Sequence, residues 1–474
     1  MQLETFITPA YLATMCLLGI YGAHRVWLLL RFRWSDRAAT HAPTAGTLLP
    51  ITVQLPVFNE RTVAARLIRA AGALQYPRDL LEIQVLDDSN DETSAIVDAE
   101  VDALCAQGID VKVLRRVQRT GFKAGALDHG LETACGELVC IFDADFVPDP
   151  TFLEELVGAF EDPKVGMVQA RWGHKNREES LLTRAESTLL DGHFVIEHKV
   201  RSDGGLFFNF NGTAGIWRRA AIESAGGWEH DTLTEDLDLS YRAQLAGWTF
   251  VYAPYVVAPA EVPPDIAAFK SQQHRWAKGS VQVLRKLGWR ILFSREPLRV
   301  KLEAFAHLSG NVGYPCVLFL SLLLPLSVGL PSRVPPWMHP VVFALCTLSV
   351  LAFYDRSQKA VGRPLSARVH DTLGAILLGI GMCVSQTHAV VEGLLPGTGV
   401  FVRTPKRGDS KSARRYRAVV RGLPGIELLF ATWFAWGLYA AAERQLWGSL
   451  PFLLLFFTSF LWVGSLLLRQ WVRG

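Results

Sequence analysis

The chain has 474 residues, half of them hydrophobic, and a net charge of only +3. So small a surplus gives no basis for binding nucleic acid, and no nucleic-acid partner is expected. Seven cysteines without CxxC spacing argue against structural zinc and a disulfide framework, and fit a reducing cytoplasm.

Residues 10–30 form the first apolar run, too long for the core of a signal peptide. Arg31, Arg33 and Arg37 follow it, so the positive-inside rule puts the next segment in the cytoplasm. Residues 45–264 have the balance of a soluble sequence long enough to bury its own core. Short apolar runs at 51–55, 83–86, 111–114 and 138–142 alternate with helix-spaced stretches at 63–74 and 124–131. This alternation predicts an α/β domain with a mostly parallel sheet. In such sheets ligands sit at the carboxyl ends of strands, and several of these runs end in acidic residues.

Each candidate motif also has a plainer explanation. Asp143 and Asp145 flank an alanine after the run at 138–141; together they repel unless a hard cation neutralises them, which points to Mg²⁺ or Mn²⁺. Alone, the pair fits a solvated turn as well. Glu60 and Asp88 stand at the ends of the first two runs, where a nucleoside would lie or a turn would form. Lys123, among small residues opening a helix, suits phosphate oxygens or solvent. Asp236 is either a helix-capping acid or a general base. Gln272, Arg275 and Trp276 offer a sugar platform, or an interfacial anchor. They fall within 265–300, whose mixed aromatic and basic residues suit a helix in the headgroup plane. Thr404 and Lys406 sit on a basic segment, either a mobile cover or a lipid-binding stretch.

Apolar runs at 304–330, 339–354, 371–395 and 426–470 follow, the last broken by Glu443, Arg444 and Gln445. The stretch 403–421 is basic and belongs inside. One run must therefore not cross, and 371–395, interrupted by Ser385, Gln386, His388 and Glu392, is the expected re-entrant one. About five spanning helices result, one before the soluble domain and four after. The expected organisation is an anchor and linker at 1–44, a cytoplasmic domain at 45–264, interfacial helices at 265–300, and a membrane domain at 301–474. The last contains a cytoplasmic basic loop at 396–424.

The motifs QLPVFNE, VLDDSND, GFKAGAL, FDADF, NGTAGIWRR, TEDLDLSYRA and QQHRW occur in that order between residues 54 and 276. With VQARW (168–172), this set resembles the processive branch of family-two glycosyltransferases. It is most similar to the cellulose-synthase-like enzymes that build mannan and xyloglucan backbones. The FVRTPK segment resembles the gating loop of cellulose synthase.

The resemblance implies a glycosyltransferase-A-like, nucleotide-sugar-binding domain set between membrane helices. It assigns Glu60 and Asp88 to the nucleoside, Lys123 and Asp143 to the nucleotide and diphosphate, and Asp145 to the metal. Asp236 would be the base, and Gln272, Arg275 and Trp276 would line the acceptor site. Thr404 and Lys406 would close over the nucleotide. One base without a second nucleophilic carboxylate implies a single inverting displacement from UDP-glucose or GDP-mannose to a growing β-linked glycan. The alternative is one hexose transferred to a membrane lipid. A transporter or scaffold that merely binds nucleotide is disfavoured by the intact Asp236 and Gln272–Trp276. Phe58 departs from the commoner tyrosine of the family.

Overall fold

The computed structural model describes residues 2–34, 48–328, 341, 344–397 and 425–472. The Val- and Ile-rich runs become the strands Ile51–Val57 (β1), Leu81–Asp87 (β2), Val111–Leu114 (β3) and Leu138–Ile141 (β4). β1, β2 and β4 are buried along nearly their whole length, polar Thr52, Gln54, Glu82 and Gln84 included, as strands covered on both faces are. β1 pairs in parallel with β2 and β4, and β3 lies parallel outside β2.

Val165–His174 (β5), Gly215–Arg218 (β6) and Thr249–Ala260 (β7) complete a seven-stranded sheet of order β3-β2-β1-β4-β6-β5-β7. The short β6 runs antiparallel to both neighbours, so the sheet is mixed. Two cores flank it. On one face, helices Ala64–Gly72 and Thr93–Cys105 bury Leu67, Ile68, Val97 and Val101 against alternate residues of β1. On the other, helix Phe122–Glu132 and its neighbours pack Leu127, Trp217 and Leu239 against Val139 and Ile141. The alternation along each strand thus serves both layers.

Among the described residues, four helices are long and apolar enough to cross a membrane: Pro9–Arg31, Gly310–Ser327, Gly425–Glu443 and Trp447–Val472. A fifth element, Leu365–Gly381 with Cys383–Leu394, is bent by 54° and is either a broken span or a re-entrant loop. The expected crossing at 339–354 is not among the four; its described part runs into helix Ser349–Ala360, which carries Asp355, Arg356 and Lys359. The bend falls within the run expected not to cross, ahead of its polar residues Ser385, Gln386, His388 and Glu392.

Buried polar contacts join membrane helices to the α/β unit. His24 of the first helix meets Glu303 at 2.8 Å, and Glu303 accepts from Arg201 Nε at 2.9 Å. Helix Ile266–Leu292 is capped by Asp265, which accepts from the Ala268 amide at 2.9 Å. The same carboxylate accepts from Gln470 Nε2 at 2.9 Å, while Gln470 Oε1 accepts from the Ala267 amide at 3.1 Å. The last membrane helix therefore completes the cap of this earlier one. Trp289, Phe293, Leu298 and Leu302, each more than 60% exposed, form an apolar surface at the far end of that helix.

Candidate active site

A cleft of about 190 Å³ opens at the carboxyl ends of β1, β2 and β4. Lining it are Glu60, Asp88, Lys123, Asp143, Asp145, Asp236, Gln272, Arg275 and Trp276. Every site residue expected from sequence and lying within the described residues thus meets in one place. Thr404 and Lys406 fall outside the described residues.

Backbone geometry explains how residues so far apart converge. Asn59, Phe122 and Ala214 are non-glycine residues at φ near +50° to +55°; the first two adjoin cleft residues and Ala214 lies two residues after Gly212. Such conformations persist only where surrounding structure enforces them, and they concentrate at functional sites. At Asn59 the enforcing contacts are visible. Its amide donates to Ser89 Oγ at 2.9 Å, and its side chain exchanges hydrogen bonds with Asn90 across the ends of β1 and β2. Gly212 (φ +79°) is required twice over: a Cβ there would meet Asp236 Oδ2 at 2.9 Å and Lys123 Nζ at 3.3 Å. Gly279 plays a similar part on helix Ile266–Leu292. A Cβ at that position would lie 2.5 Å from Thr234, so its absence lets the Thr234–Asp236 turn rest on the helix that presents Gln272, Arg275 and Trp276.

Lys123 Nζ lies 2.5 Å from Asp143 Oδ1 and donates to the Gly212 carbonyl at 2.7 Å. Burial alone would lower its pKa, but Asp143, Glu235 and Asp236 outweigh burial and leave it raised. The lysine therefore stays charged. Asp236 is pushed up to about 7, by burial first and then by the Glu235 charge, with Lys123 opposing. Its Oδ1 accepts from the Leu237 amide at 2.8 Å. A carboxyl poised near neutrality is suited to taking a proton from a hydroxyl. Arg275 is lowered by burial against the pull of Glu235, Asp143 and Asp236, yet an arginine remains cationic.

Asp145 is buried beside Asp143 at the end of β4. Two carboxylates after one strand, with room beside them in the cleft, form a hard-oxygen donor set that fits Mg²⁺ or Mn²⁺, the remaining ligands coming from a diphosphate. Asp88 is clamped by Arg116, Nε at 3.1 Å and Nη2 at 2.5 Å. Its neighbour Asp87 points away and binds Arg115 Nε at 2.8 Å, a structural role.

Trp172, Asn211, Glu235 and Arg119 also line the cleft but were not singled out from sequence. Trp172 belongs to the VQARW motif, and its ring centroid lies 6.4 Å from that of Trp276. Asn211 opens NGTAGIWRR, and Arg119 lies two residues before GFKAGAL. Their positions beside or within those motifs were the available signal.

A second cavity, of about 1420 Å³, shares Trp172, Asn211, Asp236 and Trp276 with the cleft. From there it extends between the membrane helices to Tyr11, Met15, Phe452 and Phe456. Its inner part carries His193, Glu197, Arg201, Asn209 and His307.

Paired carboxylates, a buried lysine and one poised acid at the ends of such a sheet define a nucleotide-sugar-dependent glycosyltransferase. A family model described as glycosyltransferase like family 2 matches residues 50–279. Glucomannan 4-beta-mannosyltransferase 2 of Arabidopsis thaliana is 37% identical over 390 residues, covering 79% of this chain and 71% of that protein. Glucomannan 4-beta-mannosyltransferase 1 of Cyamopsis tetragonoloba is 37% identical over 377 residues, covering 77% and 70%. The fold is similar to that of a mannosyltransferase from Pyrobaculum calidifontis solved in complex with GDP-Man and Mn2+. That match has a TM-score of 0.55 at 20% identity and covers 82% of this chain and 97% of that one. The chain belongs to the family-two glycosyltransferases, in their cellulose-synthase-like group, and is an integral membrane enzyme.

Proposed function

We propose that the enzyme polymerises mannose from GDP-mannose into a β-linked mannan or glucomannan backbone. The observation that carries this reading is the cavity running from Asp236 to the membrane helices. An acceptor chain lying there presents its terminal hydroxyl to Asp236, beside the Trp172 and Trp276 rings. The glucomannan mannosyltransferases at 37% identity support the donor and product, as does the bound GDP-Man of the structural neighbour.

Asp236 accepts the proton of the attacking hydroxyl, whose oxygen bonds to the anomeric carbon as the bond to the diphosphate breaks. Configuration inverts, and the departing charge meets Lys123 and Arg275. A divalent ion held by Asp145 and Asp143 would supply Lewis-acid neutralisation of that diphosphate. Glu60 and Asp88 face the nucleoside and Gln272 the acceptor side. Arg31 and Arg33 after the first membrane helix favour a cytoplasmic catalytic domain at residues 45–264. The exposed Trp289, Phe293, Leu298 and Leu302 favour an interfacial position for residues 265–300.

The test is product analysis of purified protein in lipid with radiolabelled GDP-mannose or UDP-glucose. Insoluble label released by endo-β-mannanase supports the proposal. Label confined to a chloroform-soluble species bearing one hexose makes the enzyme a glycolipid synthase instead.

A further inference from the structure

The donor cleft has two chemically distinct ends. Lys123, Asp143, Asp145 and Arg275 gather charge for a diphosphate at the β4 side, which leaves the nucleobase to the ends of β1 and β2. There the Arg119 guanidinium sits over the Phe58 ring, with Cζ 3.4 Å from the ring centroid, and 5.0 Å from the centroid of Phe122. A guanidinium held face-on by aromatic rings has its N–H donors confined to its own plane. The Arg119 Nε is buried and has no hydrogen-bond partner among the described residues. Asp88 Oδ2 stands 3.7 Å from it, too far for a hydrogen bond but close enough to hold the charge in place. A buried, unmet donor of this kind costs free energy until a ligand supplies an acceptor.

The geometry points to Arg119 as the residue that reads the nucleobase, selecting guanine through its O6 and N7 acceptors. This inference rests on the GDP-mannose reading above. Guanine offers two acceptors side by side on one edge, the pattern a planar arginine fork matches. Uracil offers no such pair, because its N3–H donor separates the two carbonyls. Lysine, a point charge, keeps the attraction to phosphate but loses the fork.

The experiment compares GDP, 7-deaza-GDP and UDP as competitive inhibitors of mannosyl transfer by the full-length enzyme in lipid. Wild type is set beside Arg119→Lys and Arg119→Met, each checked for monodisperse elution. Wild type should bind 7-deaza-GDP about tenfold more weakly than GDP, the worth of one bidentate contact. In both variants that ratio should collapse towards one, and the preference for GDP over UDP should shrink with it. If the ratio survives in the variants, or GDP and UDP weaken equally, Arg119 serves phosphate or fold and the inference falls alone. A wild-type enzyme that prefers UDP overturns the donor reading itself.

Discussion

The Lys123 ammonium touches the Asp143 carboxylate at 2.5 Å while donating to the Gly212 carbonyl at 2.7 Å. One side chain thus ties the helix after β3 to the end of β4 and to the loop before β6. It also adjoins the proposed base, since Gly212 sits against Asp236. Lys123→Met should remove both the charge and the tie. Transfer rate should drop by at least about a hundredfold, as for loss of a preorganised electrostatic group. A pre-steady-state assay of mannosyl transfer checks this.

Asp236→Asn should abolish transfer, by about 10²–10⁴-fold, while donor binding persists. Because the base works only when ionised, kcat/KM for wild type should rise with pH through about 7. Glu235 is the second cause of that raised value, after burial. Glu235→Gln should therefore move the rising limb to lower pH, and a limb that moves upward would contradict the assignment.

Asp145→Asn should raise the Mg²⁺ or Mn²⁺ concentration needed for half-maximal activity by about tenfold or more. Titration of metal-stripped enzyme with each ion gives the answer, and an unchanged requirement would remove Asp145 from the metal site.

Gly212→Ala places a methyl 2.9 Å from Asp236 Oδ2 on a backbone at φ +79°. The left-handed conformation alone costs an L-residue about 1–2 kcal/mol. Activity should fall more than tenfold as the methyl displaces Asp236, and thermal unfolding should register a loss of about 1–2 kcal/mol from the left-handed backbone.

Asp191, fully buried, binds His174 at 3.0 Å, Gln358 at 2.9 Å and Arg177. These partners hold its carboxyl well below the usual carboxylate range despite burial. Asp191→Ala strands Arg177 and should cost about 3–5 kcal/mol. Thermal unfolding in detergent should register that loss. The wild-type contribution should be complete above the ordinary aspartate pKa and fade in more acid solution.

The nucleotide-side half of the sheet was legible because β4 is an unbroken apolar run and β1 and β2 are rich in Ile, Val and Leu, interrupted by the buried Thr52, Gln54, Glu82 and Gln84 before polar residues follow. β6 was not: four residues, beginning with a glycine and ending with an arginine, leave no period to detect, yet they turn part of the sheet antiparallel. Site residues were legible where chemistry crowds, as at Asp143 and Asp145. Arg119 escaped because an arginine in a loop carries no pattern until Phe58 and Phe122 close on it. The span at 339–354 was expected from apolar content alone; part of it lies outside the described residues, and helix Ser349–Ala360 packs Phe353 and Tyr354 against Gly192 of the α/β unit while Gln358 donates to Asp191.

Gln470 completes the cap at Asp265, so the helix carrying Gln272, Arg275 and Trp276 is finished by the final membrane helix. During synthesis the α/β unit leaves the ribosome well before that helix enters the bilayer. The helix that carries Gln272, Arg275 and Trp276 therefore gains its Gln470 contacts only after helix Trp447–Val472 has been made, later than the strands that form the donor cleft.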